Sequence, residues 1–363
     1  MSDQNARVAA ALRAFAEGEM VVVIDDDDRE NEGDLICAAS LMSPEQMALM
    51  VRHTSGIVCA PMTRSVARRL NLAPMVADND APLATAFTVS VDVKHGLTTG
   101  ISADERTNTV RALANPNAGA ADFVRPGHVF PLVARDGGVL IRSGHTEAAI
   151  DLCRLAGLPE IGVLSELMND DGTVMRGPQV SAFAKTHGLV EVSVNDLIAY
   201  RQRNETLVER VSDTSRTLGG SAARVVSYTT HFDPMQHVAV VIGDIRGGAD
   251  IPVRLVREMV VDDVFGDGAP RAATEAFRAH GSGVLVYLRH GATGVASGST
   301  DPDEEHETAQ SRAREWRDVG LGAQILRDLG IHSIRLVTAS DRRYIGLDGF
   351  GITITGQVAL GDL

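Results

Sequence analysis

The chain has 363 residues, 44% hydrophobic and 23% charged, a globular balance that suits two domains at roughly 100–200 residues each. With 34 Lys and Arg against 48 Asp and Glu, the net charge is −14. That charge argues against nucleic acid or anionic membrane as a bulk partner, and an anionic ligand would need a local cluster of Arg, backbone N–H groups or metal.

Residues 5–17 carry Val8, Leu12 and Phe15 among alanines, the spacing of a short amphipathic helix ended by Gly18. Met20–Ile24 is a β-branched run that predicts a buried strand, and Leu35–Ala39 a second. Ser43-Pro44 starts a helix through about His53, because Pro suits the first helical position. Gly56–Cys59 predicts a strand, Asp104–Leu113 a helix, and Val129–Val133 and Val139–Ile141 two strands around the Gly137-Gly138 turn. Thr146–Ala156 is helical, Ile161–Leu164 a strand, and Pro178–His187 and Val194–Gln202 helices. This order predicts a mixed sheet flanked by helices.

The polar stretch Arg201–Glu209 marks a boundary. Beyond it, strands are expected at Val225–Thr229, Val238–Ile242, Val253–Met259, Val284–Leu288, Ile334–Val337 and Ile352–Ile354, with helices at Pro270–Ala279 and Glu315–Leu329. Gly294–Glu307, rich in Gly, Ser, Thr and acid, reads as a mobile loop. The fold expected is a two-domain α/β (α+β) chain: a first domain over 1–203, a linker over 204–210, and a smaller α/β domain over 211–363. The three cysteines, Cys37, Cys59 and Cys153, have irregular spacings and no C-x-x-C, which reads as reduced thiols. No apolar run approaches the ~18 residues of a membrane span, and the N-terminus lacks a basic and then apolar leader, so a soluble, cytoplasmic protein is expected.

The strongest local feature is Asp25–Asp34, in which seven of ten residues are carboxylates. It sits between two predicted strands, so it leaves a fixed sheet end. Packing like charges together raises the free energy of the loop. Mg²⁺ or Mn²⁺, hard cations that take carboxylate oxygen, would order it. A solvated acidic turn is the alternative; the Asp-x-Asp-x-Asp-Gly spacing of an EF-hand is absent.

A second cluster, Arg142-Ser-Gly-His-Thr-Glu147, lies between a predicted strand and a helix. Helix N-termini bind anions, Ser143, Gly144 and Thr146 are small donors, Arg142 suits phosphate, and His145 can ligate a metal. Simple capping by Thr146 with an exposed His145 is the alternative. Arg125–Pro131 holds His128 between prolines, and Glu166 stands at the C-terminal end of a predicted strand, a frequent site position in open sheets.

Together these segments resemble 3,4-dihydroxy-2-butanone 4-phosphate synthase over roughly residues 5–203. The resemblance rests on Asp28–Asp34, His53–Cys59, Thr98–Ser102, Arg125–Pro131 and Gly144–Glu147, followed by Asn169–Thr173. It implies conversion of ribulose 5-phosphate to a four-carbon ketone phosphate and formate. It also implies Glu30 and His145 as ligands of a divalent metal, Mg²⁺ or Mn²⁺, and substrate contacts from Arg29, Glu30, Asp34, Glu166 and the run Arg142, Ser143, Gly144, His145 and Thr146. The phosphate would lie near Arg142 and Thr146, His128 and Glu166 would be catalytic, and the assembly would be a homodimer. For the first proton acceptor, Glu166, His128 and Asp25 are the candidates, in that order. Residues 26–33 would close over the site.

Residues 210–358 resemble GTP cyclohydrolase II in outline, which predicts a C-terminal domain of that type. Where that family carries Arg-x-His-Ser-Glu-Cys and two further cysteines, this chain reads Arg254-Leu-Val-Arg-Glu-Met259, and no cysteine follows Cys153. The family's Arg-Gln-Glu-Gly-Arg stands here as Arg289-His-Gly-Ala-Thr293. A three-cysteine zinc site cannot be built there. The resemblance therefore predicts a degenerate domain without zinc; an altered but active cyclohydrolase, or a regulatory or ligand-binding role, is the alternative. His280, His290 and His306 sit on scattered elements.

Overall fold

A computed structural model describes residues 3–25, 30–232, 235–266, 268–289, 309–338 and 351–363. The chain divides into two compact units, the first reaching Tyr200 and the second beginning at Arg201, with residues 308–310 grouped with the first. Both are α/β, as the sequence pattern predicts.

The first unit contains α1 (Asp3–Ala16), β1 (Val21–Ile24), β2 (Gly33–Ala38), α2 (Pro44–His53), β3 (Cys59–Met62), α3 (Arg64–Arg69), β4 (Val91–Val93), α4 (Ala103–Ala114), β5 (Phe123–Val133), α5 (His145–Leu155), β6 (Gly162–Glu166), α6 (Pro178–His187), β7 (Val190–Ser193) and α7 (Val194–Asn204). Its sheet runs β4-β5-β3-β6-β2-β1-β7. The β1–β7 and β3–β5 pairs are parallel and the rest antiparallel.

Alternation along β2 sets the two faces of this sheet. Leu35 and Cys37 join Met47 and Met50 of α2 and Val110 and Leu113 of α4 in one buried cluster. Residues 34, 36 and 38 therefore look the other way, toward α5, which packs on β2 and β6. Helix starts follow local chemistry. Ser43 Oγ accepts the Gln46 N–H at 3.2 Å while Gln46 Oε1 accepts the Ser43 N–H at 2.8 Å, a reciprocal cap that satisfies two otherwise orphaned donors. All three cysteines are free and buried.

The second unit contains β8 (Val208–Leu218), β9 (Ser221–Thr230), β10 (His237–Ile242), β11 (Ile251–Arg257), α8 (Val260–Phe265), α9 (Ala269–His280), β12 (Gly283–Leu288), α10 (Ala309–Asp328), β13 (Ser333–Thr338) and β14 (Thr353–Ala359). Its order is β14-β13-β11-β12-β10-β9-β8. The four strands β14, β13, β11 and β12 are parallel. Among the described residues, no helix is long and apolar enough to cross a membrane.

Several elements depart from expectation. Val139–Ile141 is no strand: Gly137 and Gly138 adopt positive φ, the Val139 N–H donates to Asp151 Oδ2 at 2.9 Å, and the Ile141 N–H donates to Gly138 O at 3.0 Å. These donors serve a 3₁₀ turn instead of a ladder. The strand expected at Gly56–Cys59 forms at Cys59–Met62. Strands β4, β7 and β8, and helices α3 and α8, escape the sequence reading because they are short or, like β8, mostly polar and exposed. Strand β8 begins at Val208, inside the stretch expected as linker. The expected mobile segment Gly294–Glu307 lies outside the described residues.

Gly33, first in β2, sits so close to α6 that a Cβ there would overlap the branched carbon Val180 Cγ1. Val180 is fully buried and β-branched, so it cannot turn aside. Gly33→Ala is expected to cost about 1–3 kcal/mol through overpacking, read as a lowered first thermal transition. Val180→Ala in the same chain should make the pair less costly than the sum of the single changes; simple additivity would show that the two do not meet.

Candidate active site

Asp25 is the first residue beyond β1 and is buried. Its backbone N–H donates to Glu32 O at 3.2 Å, and its Oδ1 accepts the Glu32 N–H at 2.9 Å. These two bonds close the neck of the acidic loop. Asn31 takes φ 54°, a left-handed conformation that Asn tolerates better than most residues. Arg176 Nη2 donates to Glu32 Oε1 at 3.1 Å and pins the loop's outgoing limb from the side. Arg29, with residues 26–28, lies outside the described residues.

Asp34 follows on β2, on the face turned to α5. It pairs in register with Glu166 at the end of β6. His145 is the first residue of α5. Its Nδ1 lies 3.8 Å from Asp34 Oδ1 and 4.0 Å from Glu30 Oε2. One ligand atom each from Asp25, Glu30 and His145 lie within 4.8 Å of one another. Asp34 is only 2% exposed. Burial first, then the charges of Glu166, Glu30, Asp25 and Glu32, push its carboxyl well above the usual carboxylate range.

This donor set fits a hard divalent cation. Carboxylate oxygens and an imidazole nitrogen converge at short range, and a positive ion would relieve the repulsion that raises Asp34. Asp34 Oδ1 is buried without a hydrogen-bond donor, which is what an unmet positive neighbour would leave.

The N-terminus of α5 forms the adjoining wall. Gly144 occupies the N-cap and offers no side-chain acceptor to the first helical N–H groups, and a helix start suits an anion. Thr146 is buried beside His145. Arg142 folds across the helix start: Nη1 donates to Glu147 Oε2 at 2.7 Å, and Nη2 to Thr85 Oγ1 at 3.1 Å and Leu83 O at 3.2 Å. Glu147 Oε1 in turn accepts the Arg135 N–H at 3.0 Å. Ser143 lies half-buried between Arg142 and Gly144.

His128 stands apart from this cluster, near the middle of β5. Cys59 of β3 pairs with both Leu164 of β6 and Phe130 of β5. Two residues back along these strands, Glu166 and His128 therefore occupy the same end of the sheet, two strand spacings or roughly 10 Å apart. His128 Nδ1 is 2.7 Å from Asp92 Oδ2, and the His128 N–H donates to Asp92 Oδ1 at 2.9 Å. An ionised carboxylate only accepts, so Nδ1 donates in this pair and the ring is held with Nε2 facing away from Asp92. Gly100, at φ +83°, makes room for the pair, since a Cβ there would overlap Asp92 Oδ2. The loop before Gly100 is held by Glu105, which accepts from the Thr98 N–H at 2.6 Å and the Thr98 hydroxyl at 2.9 Å.

The structure thus gathers Glu30, Asp34, His145 and Glu166, places Arg142, Ser143, Gly144 and Thr146 beside them, and sets His128 at the same sheet end. Sequence reasoning missed Asp92 and Arg176, and gave Glu147, at the end of its second cluster, no role. Asp92 leaves one trace, an acid inside the short apolar strand Val91–Val93. Cys59 also faces this end, where burial and the nearby Glu166 and Asp34 raise its thiol.

In the second unit, charged residues follow the C-terminal ends of parallel strands but pair with one another. Arg257 Nε donates to Asp318 Oδ2 at 2.6 Å, and Arg289 Nε to Glu258 Oε1 at 2.9 Å. Met259 stands half exposed where the resembled family has its first zinc cysteine. The His280 ring hydrogen-bonds a Leu363 oxygen at 3.0 Å; His290 and His306 lie outside the described residues.

Residues 9–200 match the family model for 3,4-dihydroxy-2-butanone 4-phosphate synthase, and residues 209–359 that for GTP cyclohydrolase II. The riboflavin biosynthesis protein RibBA of Salinispora arenicola is 45% identical over 370 residues, covering 97% of this chain and 88% of its own. The crystal structure of RibBX, a two-domain 3,4-dihydroxy-2-butanone 4-phosphate synthase from A. baumannii, superposes with a TM-score of 0.80 at 35% identity, over 96% of this chain and 99% of its own. A 3,4-dihydroxy-2-butanone 4-phosphate synthase solved in complex with two magnesium ions is 46% identical, with a TM-score of 0.54, over 54% of this chain and 97% of its own. The chain is an enzyme of riboflavin biosynthesis and belongs to the 3,4-dihydroxy-2-butanone 4-phosphate synthase family, in a two-domain form whose second domain is of the GTP cyclohydrolase II type.

Proposed function

We propose that the first domain, residues 1–203, is a lyase that converts D-ribulose 5-phosphate to L-3,4-dihydroxy-2-butanone 4-phosphate and formate with Mg²⁺ or Mn²⁺. The observation that carries this reading is the meeting of Asp25, Glu30 and His145 beside a buried, charge-stressed Asp34 under the start of α5. Glu30 and His145 would hold the cation, with Asp25 within reach as a further oxygen donor. A bound divalent ion supplies Lewis-acid stabilisation of charge developing on the sugar oxygens.

The chain's own residues supply the rest. The uncapped N–H groups of α5 with Thr146 and Arg142 would take the phosphate, and Ser143 and Gly144 line that approach. Arg142 already spends one nitrogen on Glu147, so it presents a fixed guanidinium and loses little freedom when substrate arrives. Arg29, Glu30 and Asp34 would contact the sugar. Glu166, next to Asp34 on the sheet, is the first choice for removing the proton alpha to the carbonyl. His128, its ring oriented by Asp92, would serve a second proton transfer before carbon 4 leaves as formate. Its position two strands away, together with the exposed Ile57 and Ile101 at this sheet end, supports a homodimer in which a second copy helps close the site.

The second domain would lack GTP cyclohydrolase II activity, because no cysteine follows Cys153 to build a zinc site. The full-length likeness to a two-domain synthase supports this reading. The family match over residues 209–359 favours a rival, an altered but active cyclohydrolase. The deciding assay incubates the purified chain with ribulose 5-phosphate and Mg²⁺, and separately with GTP and zinc. Formate from the sugar and unchanged GTP are expected; GTP consumption would establish the rival, and absence of formate from the sugar would end the proposal. A chain ending at about residue 205 should keep the sugar activity if the first domain is complete.

Glu30→Gln should lower turnover at least a thousandfold, a loss of roughly 4 kcal/mol in transition-state stabilisation, with an unchanged circular dichroism spectrum. An active Glu30→Gln enzyme would contradict the metal assignment.

Asp34 yields a pH prediction. Its folded-state carboxyl is raised, so metal-free protein is penalised once pH exceeds the ordinary carboxylate value of about 4. Stability should fall as pH rises from there to the raised value and then level off. Asp34→Asn should remove this slope and raise metal-free stability at pH 7.5 by about 1 kcal/mol or more, while activity is lost. Denaturant titrations at several pH values read both effects; an unchanged slope in the variant would show that Asp34 is not its source.

A further inference from the structure

Beside the acidic cluster, but separated from it by Arg142, lies a cavity of about 650 Å³ with no role in the reaction described above. It is enclosed by α3, the end of β5 and the segment 73–88. That segment is no trailing loop: the Met75 N–H donates to Phe87 O at 2.9 Å and the Val89 N–H to Ala73 O at 3.0 Å, so its two limbs are stitched together. Leu72, Phe87 and Val133 give the cavity an apolar floor, and Met75 and Val76, large and exposed, form its lip.

Three arginines are among the residues that line the same cavity, Arg64, Arg68 and Arg135, all of them exposed. Arg64 has only a loose contact with exposed Asp136, at 3.6 Å. Among the described residues, the Arg68 and Arg135 guanidinium groups have no hydrogen-bond or ion-pair partner. In a chain of net charge −14, three arginines around one partly apolar hollow, two of them without a carboxylate partner, are a local reversal of sign that suits an anion.

We propose that this cavity binds a phosphate monoester carried on a planar aromatic body. Guanidinium forks match phosphate oxygens in pairs. The Met75 thioether and the Phe87 ring suit the face or edge of an aromatic system, and Val76 covers it. The volume lies within the roughly 300–1,000 Å³ of sites for drug-sized ligands and exceeds what a five-carbon sugar phosphate fills. The cavity also shares a wall with the reaction site, because Thr85, which lines it, accepts from Arg142 Nη2 through its hydroxyl at 3.1 Å.

The test is a titration of the full chain with flavin mononucleotide, followed by flavin fluorescence without divalent metal. Riboflavin and inorganic phosphate are run alongside. One saturable site per chain is expected. Riboflavin, which lacks the phosphate, should bind at least tenfold more weakly, and phosphate should compete only at much higher concentration. Arg68→Ala with Arg135→Ala should weaken flavin mononucleotide binding at least tenfold at an unchanged thermal transition. Met75→Glu, on the exposed lip, is an independent variant expected to do the same. No saturable binding, equal binding of both flavins, or undiminished binding by these variants would overturn the proposal. So would a change in sedimentation behaviour of the arginine variant, since the face would then belong to a second copy of the chain.

Discussion

Electrostatic repulsion among carboxylates held at one sheet end is the constraint on which the first domain depends. Asp25, Glu30, Asp34 and Glu166 come from a strand end, a loop, a strand start and another strand end, and the sheet register leaves them no room to spread. A buried carboxylate among other carboxylates is costly unless a proton or a cation joins it. The fold tolerates the arrangement because the opposite face of β2 is a dense apolar cluster with helices α2 and α4, which fixes the strand whatever its first residues prefer. Packing stability on one face thus offsets electrostatic stress on the other, a common arrangement where a site must be ready for a charged ligand.

The start of α5 complements that stress. Its first N–H groups and the Arg142 guanidinium are positive features beside His145, which itself lies 3.8 Å from Asp34. In the proposed reaction, cation and helix end would divide one substrate between them, the sugar oxygens on the cation side and the phosphate on the helix side. Glu147 looks misplaced at an anion site, yet it neutralises part of Arg142 and orients it, and Arg135 donates a backbone hydrogen bond to the same carboxylate. Removing Glu147 would free Arg142 without strengthening the site.

Much of this was legible in the sequence because the site is made of contiguous motifs. The acidic loop and the Arg142–Glu147 run each carry their chemistry within ten residues, and the strands around them are β-branched enough to read. What could not be read is pairing. Asp92 meets His128 only because β4 lies antiparallel to β5, and Arg176 meets Glu32 only because an isolated bridge joins their segments. Neither partner has a local pattern that announces it. The expected strand at Val139–Ile141 failed for a related reason: three apolar residues after a glycine pair suit a strand, but a distant carboxylate, Asp151, takes the first N–H and turns the chain.

The second domain, if its zinc chemistry is gone as proposed, is a fold that outlives the reaction it resembles. Its parallel strands β11, β12, β13 and β14 still end together, the position where open α/β sheets bind ligands. Among the described residues there, Arg257 pairs with Asp318 and Arg289 with Glu258, much as Arg142 pairs with Glu147 in the first domain. The contrast with the first domain is physical. Around Asp34 the charges are like and crowded, so a cation lowers the free energy of the cluster; here they are opposite and paired, so a cation would gain less. A domain of the second kind is held by its sheet and its core, whatever ligand it takes.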